Sequence, residues 1–158
     1  MIWAYLIELI LAFSLYYLII LYAGYDRASS ILIQNWGTFL GVAIALLAMG
    51  YGTLKFLYTL FNTEFGNYLQ WVGDEQETYL NAVLFQTVLF IAAGAATLAA
   101  AFSKNHVLIH ITWVVMFYAV VNAISTAVNT FWLIKMNNRF KYRYDRIKTQ
   151  MENAHDDN

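Results

Sequence analysis

The sequence predicts an all-α integral membrane protein in which four transmembrane helices form a compact bundle. Hydrophobic residues make up 61% of its 158 residues and charged residues only 12%, whereas soluble domains carry roughly 25% charged residues. The chain contains no proline, so no position forces a break in a long helix. Four stretches are also long enough for a bilayer core about 30 Å thick, which takes about 20 helical residues.

The four predicted spans cover about residues 2–24, 37–61, 82–102 and 107–134. The first span contains one charged residue, Glu8, the second contains only Lys55, and the other two contain none. We therefore expect residues 1–135 to form the transmembrane domain. Residues 136–158 are expected to form a basic cytoplasmic helical tail with a disordered end from Glu152.

Two connections carry helical signals of their own. In the middle loop, Phe65, Tyr68, Leu69 and Val72 recur at helical spacing, which predicts a short interfacial helix lying on the bilayer. In the first connection, the second helix is expected to begin well before Gly37. Its N-cap would be one of the polar residues typical of that position, namely Asp26, Ser29 or Ser30.

The distribution of basic residues predicts a plasma or inner membrane protein with both termini in the cytoplasm. Lys135 and the five basic residues of the tail account for most of the nine Lys and Arg residues, and basic residues favour the cytoplasmic side. The tail residues are also predicted to contact anionic lipid or a partner protein. They are Arg139, Lys141, Arg143, Arg146 and Lys148.

Glu8 and Lys55 lie at a matching depth from the same face of the membrane. Each is six residues from a predicted span end, or about 9 Å at 1.5 Å per residue. A charge in hydrocarbon usually faces a partner or a cavity. The first interpretation is an ion pair between spans one and two. The alternatives are a snorkelling Lys55 with a wetted or protonated Glu8, and a Glu8 carboxylate that couples to protons or ions.

Two spans carry small residues at the four-residue spacing that lets membrane helices pack closely. The stripe in the second span consists of Gly37, Gly41, Ala45, Ala48 and Gly52, and the stripe in the third consists of Ala92, Gly94, Ala96 and Ala100. Both stripes could pack within the four-helix unit. Alternatively, one stripe faces another subunit.

The fourth span carries a polar stripe, formed by Asn122, Ser125, Thr126, Asn129 and Thr130. Such side chains hydrogen-bond between membrane helices for about 0.6–2 kcal/mol each, or they line a water-filled path or a ligand pocket. At the start of the same span, His106 and His110 share a helix face. They are weak candidates for metal or haem ligands, with an interfacial hydrogen-bonded pair as the alternative. We predict no cofactor beyond bound lipid.

These features predict a non-catalytic integral membrane subunit that packs within and stabilises a larger membrane protein assembly. Its partners would be other membrane subunits or copies of itself. One alternative is a homo-oligomeric small channel or transporter that uses Glu8, Lys55 and the polar stripe. Another is a redox component that binds metal or haem through His106 and His110. The sequence contains no recognisable catalytic motif, and its net charge of −1 argues against nucleic-acid binding.

Overall fold

The computed structural model describes residues 2–72 and 76–156, and the side chains of residues 3, 5–72 and 76–147. In this part of the chain the regular secondary structure is all α-helical. The helices are α1 (Ile2–Ala23), α2 (Tyr25–Gln34), α3 (Trp36–Phe61), α4 (Glu64–Trp71), α5 (Gln76–Ser103) and α6 (His106–Asp156).

Four of these helices are long and apolar enough to cross a membrane, which confirms the predicted number of apolar helices. The qualifying segments are Tyr5–Ala23, Trp36–Phe61, Gln76–Ser103 and His106–Ile147. The helix that contains the fourth span is much longer than the span itself. With 51 residues, α6 is about 76 Å long at 1.5 Å per residue. It contains neither glycine nor proline and continues to Asp156, where we predicted a disordered end.

The long helices pack in the order α1, α6, α5, α3. α3 also touches α6, but within the described residues α1 and α3 make no contact. α1 is therefore an edge helix. Most of its large apolar side chains are exposed, as expected for a helix that faces lipid or another protein. The predicted compact bundle is open on the side between α1 and α3.

The interface of α3, α5 and α6 forms the centre of the fold. Its buried residues are Ala43, Phe90, Ala93, Met116, Ala119 and Ala123. Gly50 lets α3 approach α5 closely, because a Cβ atom at this position would lie 3.2 Å from Thr87 Oγ1 and 3.4 Å from the Phe90 ring. Small residues thus allow this close helix packing.

α4 is the short helix predicted in the middle loop, but its main contacts are with protein. Phe65 and Leu69 are each 1% exposed and join a cluster with residues near the end of α3, near the beginning of α5 and in the middle of α6. Tyr68 and Val72 stay exposed. Half of the apolar face that we assigned to the bilayer therefore caps the bundle.

The first connection forms a separate helix, so the second span does not begin early as we expected. α2 begins after Gly24, whose φ of 79° favours glycine, and Asn35 separates α2 from α3. None of the three polar residues proposed as an N-cap holds that position. α2 packs on the bundle through Leu32, and the Trp113 indole donates a 3.1 Å hydrogen bond to the carbonyl oxygen of Ala28.

Candidate functional site

The Glu8 carboxylate is buried between two of the four helices that are long and apolar enough to cross a membrane. Its side chain is 7% exposed, and Asn122 Nδ2 on α6 donates a 2.8 Å hydrogen bond to Glu8 Oε2. The bond joins the edge helix α1 to the helix that contacts most of the rest of the fold. Since lipid offers no competing hydrogen bonds, a buried carboxyl group needs such a partner within the protein.

The structure does not form the predicted ion pair between Glu8 and Lys55. Lys55 is exposed on α3, and α1 and α3 share no contact in the part of the chain that is described. Counting residues along each span gives the depth of a side chain, but it does not show which helices are neighbours. The choice of partner was therefore wrong, and Asn122 is the partner that the fold provides.

Aromatic rings from three helices lie beside Glu8. The Tyr5 and Phe85 ring centroids are 5.0 Å apart, and those of Phe85 and Tyr118 are 6.5 Å apart. Both tyrosines are close enough to Glu8 to interact with it electrostatically. Tyr5 of α1 and Tyr118 of α6 therefore lie near the carboxylate, and its hydrogen-bond donor is a neutral amide.

The predicted polar stripe on α6 is divided by the fold. Asn122 and Thr126 are buried, Ser125 and Thr130 are half-buried, and Asn129 is exposed. The stripe and the intramembrane carboxylate, which we predicted separately, thus meet at Asn122. Asn122 Oδ1 is buried without a hydrogen-bond partner among the described residues.

Gln86 on α5 is a second buried amide, and it lies at about the same depth as Asn122. Thr112 Oγ1 donates to the carbonyl oxygen of Ala96, which aligns the antiparallel α5 and α6. Gln86 and Asn122 are each ten residues from that point, or about 15 Å along the helices. Gln86 is 0% exposed, and its two amide atoms have no described hydrogen-bond partner. Buried polar groups therefore lie at one level of three neighbouring helices.

Near the opposite end of the bundle, His110 on α6 contacts Tyr16 of α1 and two residues of α2, Ser29 and Tyr25, and we call this group the His110 cluster. His110 is 7% exposed. Its Nδ1 lies 2.8 Å from the Tyr16 hydroxyl, and its Nε2 lies 3.3 Å from Ser29 Oγ. The Tyr25 ring covers the imidazole at a centroid separation of 3.6 Å.

These contacts provide a hydrogen-bond partner for each nitrogen atom of a neutral His110 imidazole. Ser29 Oγ donates to the Tyr25 carbonyl oxygen at 3.1 Å, so its oxygen is free to accept a hydrogen bond from Nε2–H. Nδ1 then accepts from the Tyr16 hydroxyl. A metal ion bound to His110 would have to displace one of these partners. His106 is exposed, and in the described part of the chain no three His, Cys, Asp or Glu residues form a possible metal site. The cluster therefore favours a structural role.

We expect His110→Phe to lower the free energy of unfolding by about 1–3 kcal/mol. The phenyl ring can still stack on Tyr25, but it removes the hydrogen bonds to the half-buried Tyr16 hydroxyl and to the buried Ser29, and an unsatisfied buried polar group costs about that much. Denaturant titration in detergent micelles measures the change. The exposed His106→Phe is the control and should unfold like the wild type. Equal stabilities of the two variants would show that the His110 hydrogen bonds are not stabilising.

The two small-residue stripes lie in different environments. On α5, a Cβ atom at Gly94 would contact Ala43 and Leu40 of α3 at 3.7 and 3.8 Å. Ala100 is fully buried, Ala96 is half-buried and Ala92 is exposed. On α3, all five residues of the stripe are exposed. Cβ atoms built on its three glycines would meet nothing within 4 Å.

The basic residues of α6 lie beyond the predicted end of the fourth span. Arg139, Lys141, Arg143 and Arg146 are exposed, and the side chain of Lys148 lies outside the described residues. This part of α6 is tied back to α4 because the Tyr144 hydroxyl donates a 3.1 Å hydrogen bond to Glu64 Oε1. The middle loop and the tail are thus in contact.

The chain matches no protein-family model, no curated protein and no solved structure. Its function must therefore be inferred from its own residues. The features available are an outward stripe of small residues on α3, a buried Glu8–Asn122 hydrogen bond and a basic end of α6.

Proposed function

We propose that this protein is a non-catalytic subunit of a larger membrane protein assembly. It docks on a transmembrane helix of a different polypeptide through the α3 stripe, which consists of Gly37, Gly41, Ala45, Ala48 and Gly52. At 100° per residue these positions fall within an arc of about 80°. The observation that carries the proposal is that the whole stripe is exposed.

The exposed glycines are difficult to explain within the isolated chain. A glycine in a helix interior costs about 0.5–1 kcal/mol relative to alanine. At Gly50 that cost has a local explanation, because Thr87 and Phe90 of α5 occupy the space of a side chain. At Gly37, Gly41 and Gly52 no neighbour occupies that space. A second helix in close contact would supply the missing reason.

The membrane environment determines which secondary structure the partner presents to the stripe. Within hydrocarbon every backbone polar group must be satisfied internally, so the surface that meets the stripe is a transmembrane helix. In the described part of the chain, α3 already packs on α5 through the face that carries Ala43 and Gly50. Docking through the opposite stripe would place α3 between α5 and the partner helix.

The proposed setting is a plasma or inner membrane. Both chain termini, α4 and the basic end of α6 would lie on the cytoplasmic side. Support comes from the basic residues on α6 after Ile134 and from the rule that such residues favour the cytoplasm. The α2 end of the bundle and the His110 cluster would then lie near the opposite face.

Site-specific photo-crosslinking in native membranes tests the proposed partner. A diazirine amino acid at Ala45, in the middle of the stripe, should crosslink to one distinct polypeptide that mass spectrometry identifies. The same probe at Val88, which is 64% exposed on α5, is the control for lipid-facing positions. The identified polypeptide should also co-purify with the protein in a fixed stoichiometry.

Substitution of Gly41 then tests whether the stripe itself forms the interface. We expect Gly41→Leu to reduce the co-purified partner about tenfold, or ~1.4 kcal/mol. Its unfolding midpoint should not fall, because no other described side chain or helix lies within 4 Å of that Cβ position and leucine is a better helix former than glycine. Ala92→Leu, at an exposed position of α5, should keep the partner. Crosslinks between two copies would replace the proposal with a homo-oligomer, the arrangement of the channel or transporter alternative. Partner retention by Gly41→Leu would contradict the stripe as the interface.

A further inference from the structure

A groove runs between α4 and the part of α6 that follows the fourth predicted span. Its volume is about 390 Å³. Aromatic and aliphatic side chains form most of its walls, and two arginines complete them. The lining residues are Phe65, Tyr68, Met136, Arg139, Phe140, Arg143, Tyr144 and Ile147. The Tyr68 and Phe140 rings meet across the groove at a centroid separation of 5.0 Å.

The charge of the groove is positive. Arg139 and Arg143 are one helix turn apart and share a face of α6. Both are exposed, and neither forms an ion pair with a side chain that the structure describes. Among the residues that the structure describes, no acidic side chain lines the groove. The nearby Glu64 accepts a hydrogen bond from the Tyr144 hydroxyl, which also lies in the groove wall. Two guanidinium groups are therefore available to an anion.

The groove begins at the level expected for the headgroup layer of a bilayer and extends beyond it. Arg139 and Arg143 follow Ile134, the predicted end of the span, by five and nine residues, or about 7.5 and 13.5 Å along the axis. Headgroup regions extend about 5–7 Å beyond each side of the hydrocarbon core, and helical side chains lean toward the helix N-terminus, which for this part of α6 is toward the bilayer. Trp132, with Lys135 Nζ 4.9 Å from its ring centroid, marks the same boundary, as interfacial aromatic residues do. Met136 lies one turn closer to the membrane than Phe140.

We propose that this groove binds one anionic phospholipid. Arg139 and Arg143 hold the phosphate group, because guanidinium groups bind phosphate oxygens in a bidentate manner. Met136 and Tyr68 contact the beginning of the acyl chain. The site is more specific than a general attraction of basic residues to the membrane, since binding requires two particular arginines and a groove between helices. It is also separate from the α3 stripe, so either proposal can fail alone.

Native mass spectrometry of the purified protein tests the site with defined lipids. Dioleoylphosphatidylglycerol and dioleoylphosphatidylcholine are offered in equal amounts, so that the acyl chains match and only the headgroup charge differs. We expect one tightly retained phosphatidylglycerol per chain and little phosphatidylcholine. Equal retention of the two lipids would overturn the proposal.

Variants then locate the bound lipid. Arg139→Gln with Arg143→Gln should lower phosphatidylglycerol retention at least tenfold. Arg139→Lys with Arg143→Lys keeps the charge but removes the bidentate geometry, so it should give an intermediate loss. Lys141→Gln removes a charge about 200° around the helix from Arg139 and should have no effect. A loss as large with Lys141→Gln would indicate diffuse attraction and overturn the groove.

Inorganic phosphate distinguishes a lipid site from a simple anion site. Millimolar phosphate should leave bound phosphatidylglycerol in place, because it lacks the acyl chain that contacts Met136 and Tyr68. Displacement of the lipid by phosphate would reject the lipid assignment. Unfolding midpoints of all variants should equal that of the wild type, since Arg139 and Arg143 are exposed. Full retention of phosphatidylglycerol by the variant that combines Arg139→Gln with Arg143→Gln would also contradict the site.

Discussion

Gly66→Ala is expected to release α4 from the bundle and to lower the free energy of unfolding by about 3 kcal/mol. A Cβ atom on Gly66 would collide with the carbonyl oxygen of Phe61, and it would lie 2.6 Å from the carbonyl carbon and 2.8 Å from Cα of the same residue. The obstacle is backbone at the end of α3, and Leu60 and Phe61 there are buried in the core. Overpacking of rigid surroundings costs about 1–3 kcal/mol, occasionally more.

Hydrogen exchange of residues 64–72, together with denaturant unfolding, measures this effect. Amide protection in α4 should fall, while that of the central α3, α5 and α6 interface is retained. Gly52→Ala is the matched control, because nothing lies within 4 Å of its Cβ position and alanine is the better helix former. If both variants unfold at the same denaturant concentration, the close approach of α4 to Phe61 does not determine the stability of the protein.

Asn122→Leu should give the second large loss of stability, about 2–3 kcal/mol. Leucine leaves the Glu8 carboxyl group buried without its hydrogen bond, and such a stranded group costs about 1–3 kcal/mol, more when charged. Glu8→Gln should cost less than about 1 kcal/mol, since the glutamine carbonyl oxygen can accept the same bond from Asn122 Nδ2. Denaturant unfolding and proteolysis of α1 measure the difference.

A double variant and a lysine variant control this prediction. Glu8→Leu combined with Asn122→Leu removes both polar partners and should be close to the wild type, because paired removal leaves no polar group stranded. Lys55→Met should also be silent, as Lys55 is exposed on α3. A loss of stability with Lys55→Met equal to that of Asn122→Leu would restore the ion pair that we first expected.

The helices themselves were predictable from local patterns, whereas their neighbours were not. Hydropathy alone located four long apolar segments, and the spacing of Phe65 and Leu69 located α4. α2 was predicted only as an early start of the second helix, and the break at Asn35 was not predicted. A segment of only ten residues is too short for its amphipathic periodicity to distinguish a separate helix from an extension of the next one.

For the candidate sites too, single residues could be predicted from the sequence but their contact partners could not. Glu8 was singled out as a carboxylate within an apolar helix, and it is buried, but the partner that the fold gives it lies 114 residues away on α6. The Tyr16 partner of His110 is 94 residues distant. Contacts at such separations depend on which helices are adjacent and how each is rotated. One sequence contains no measure of either quantity, so Glu8 and Lys55 could share a depth and still be apart.

The uninterrupted length of α6 has a mechanical consequence. One continuous hydrogen-bonded helix connects the groove near Arg139 to the His110 cluster, and it contacts α1, α2, α4 and α5 on the way. Arg139 and His110 are 29 residues apart on this helix, or about 44 Å. A tilt of α6 by about 5° around Arg139 would therefore displace His110 by on the order of 4 Å relative to Tyr16 and Ser29, so the two ends of the bundle are mechanically coupled through one rigid element.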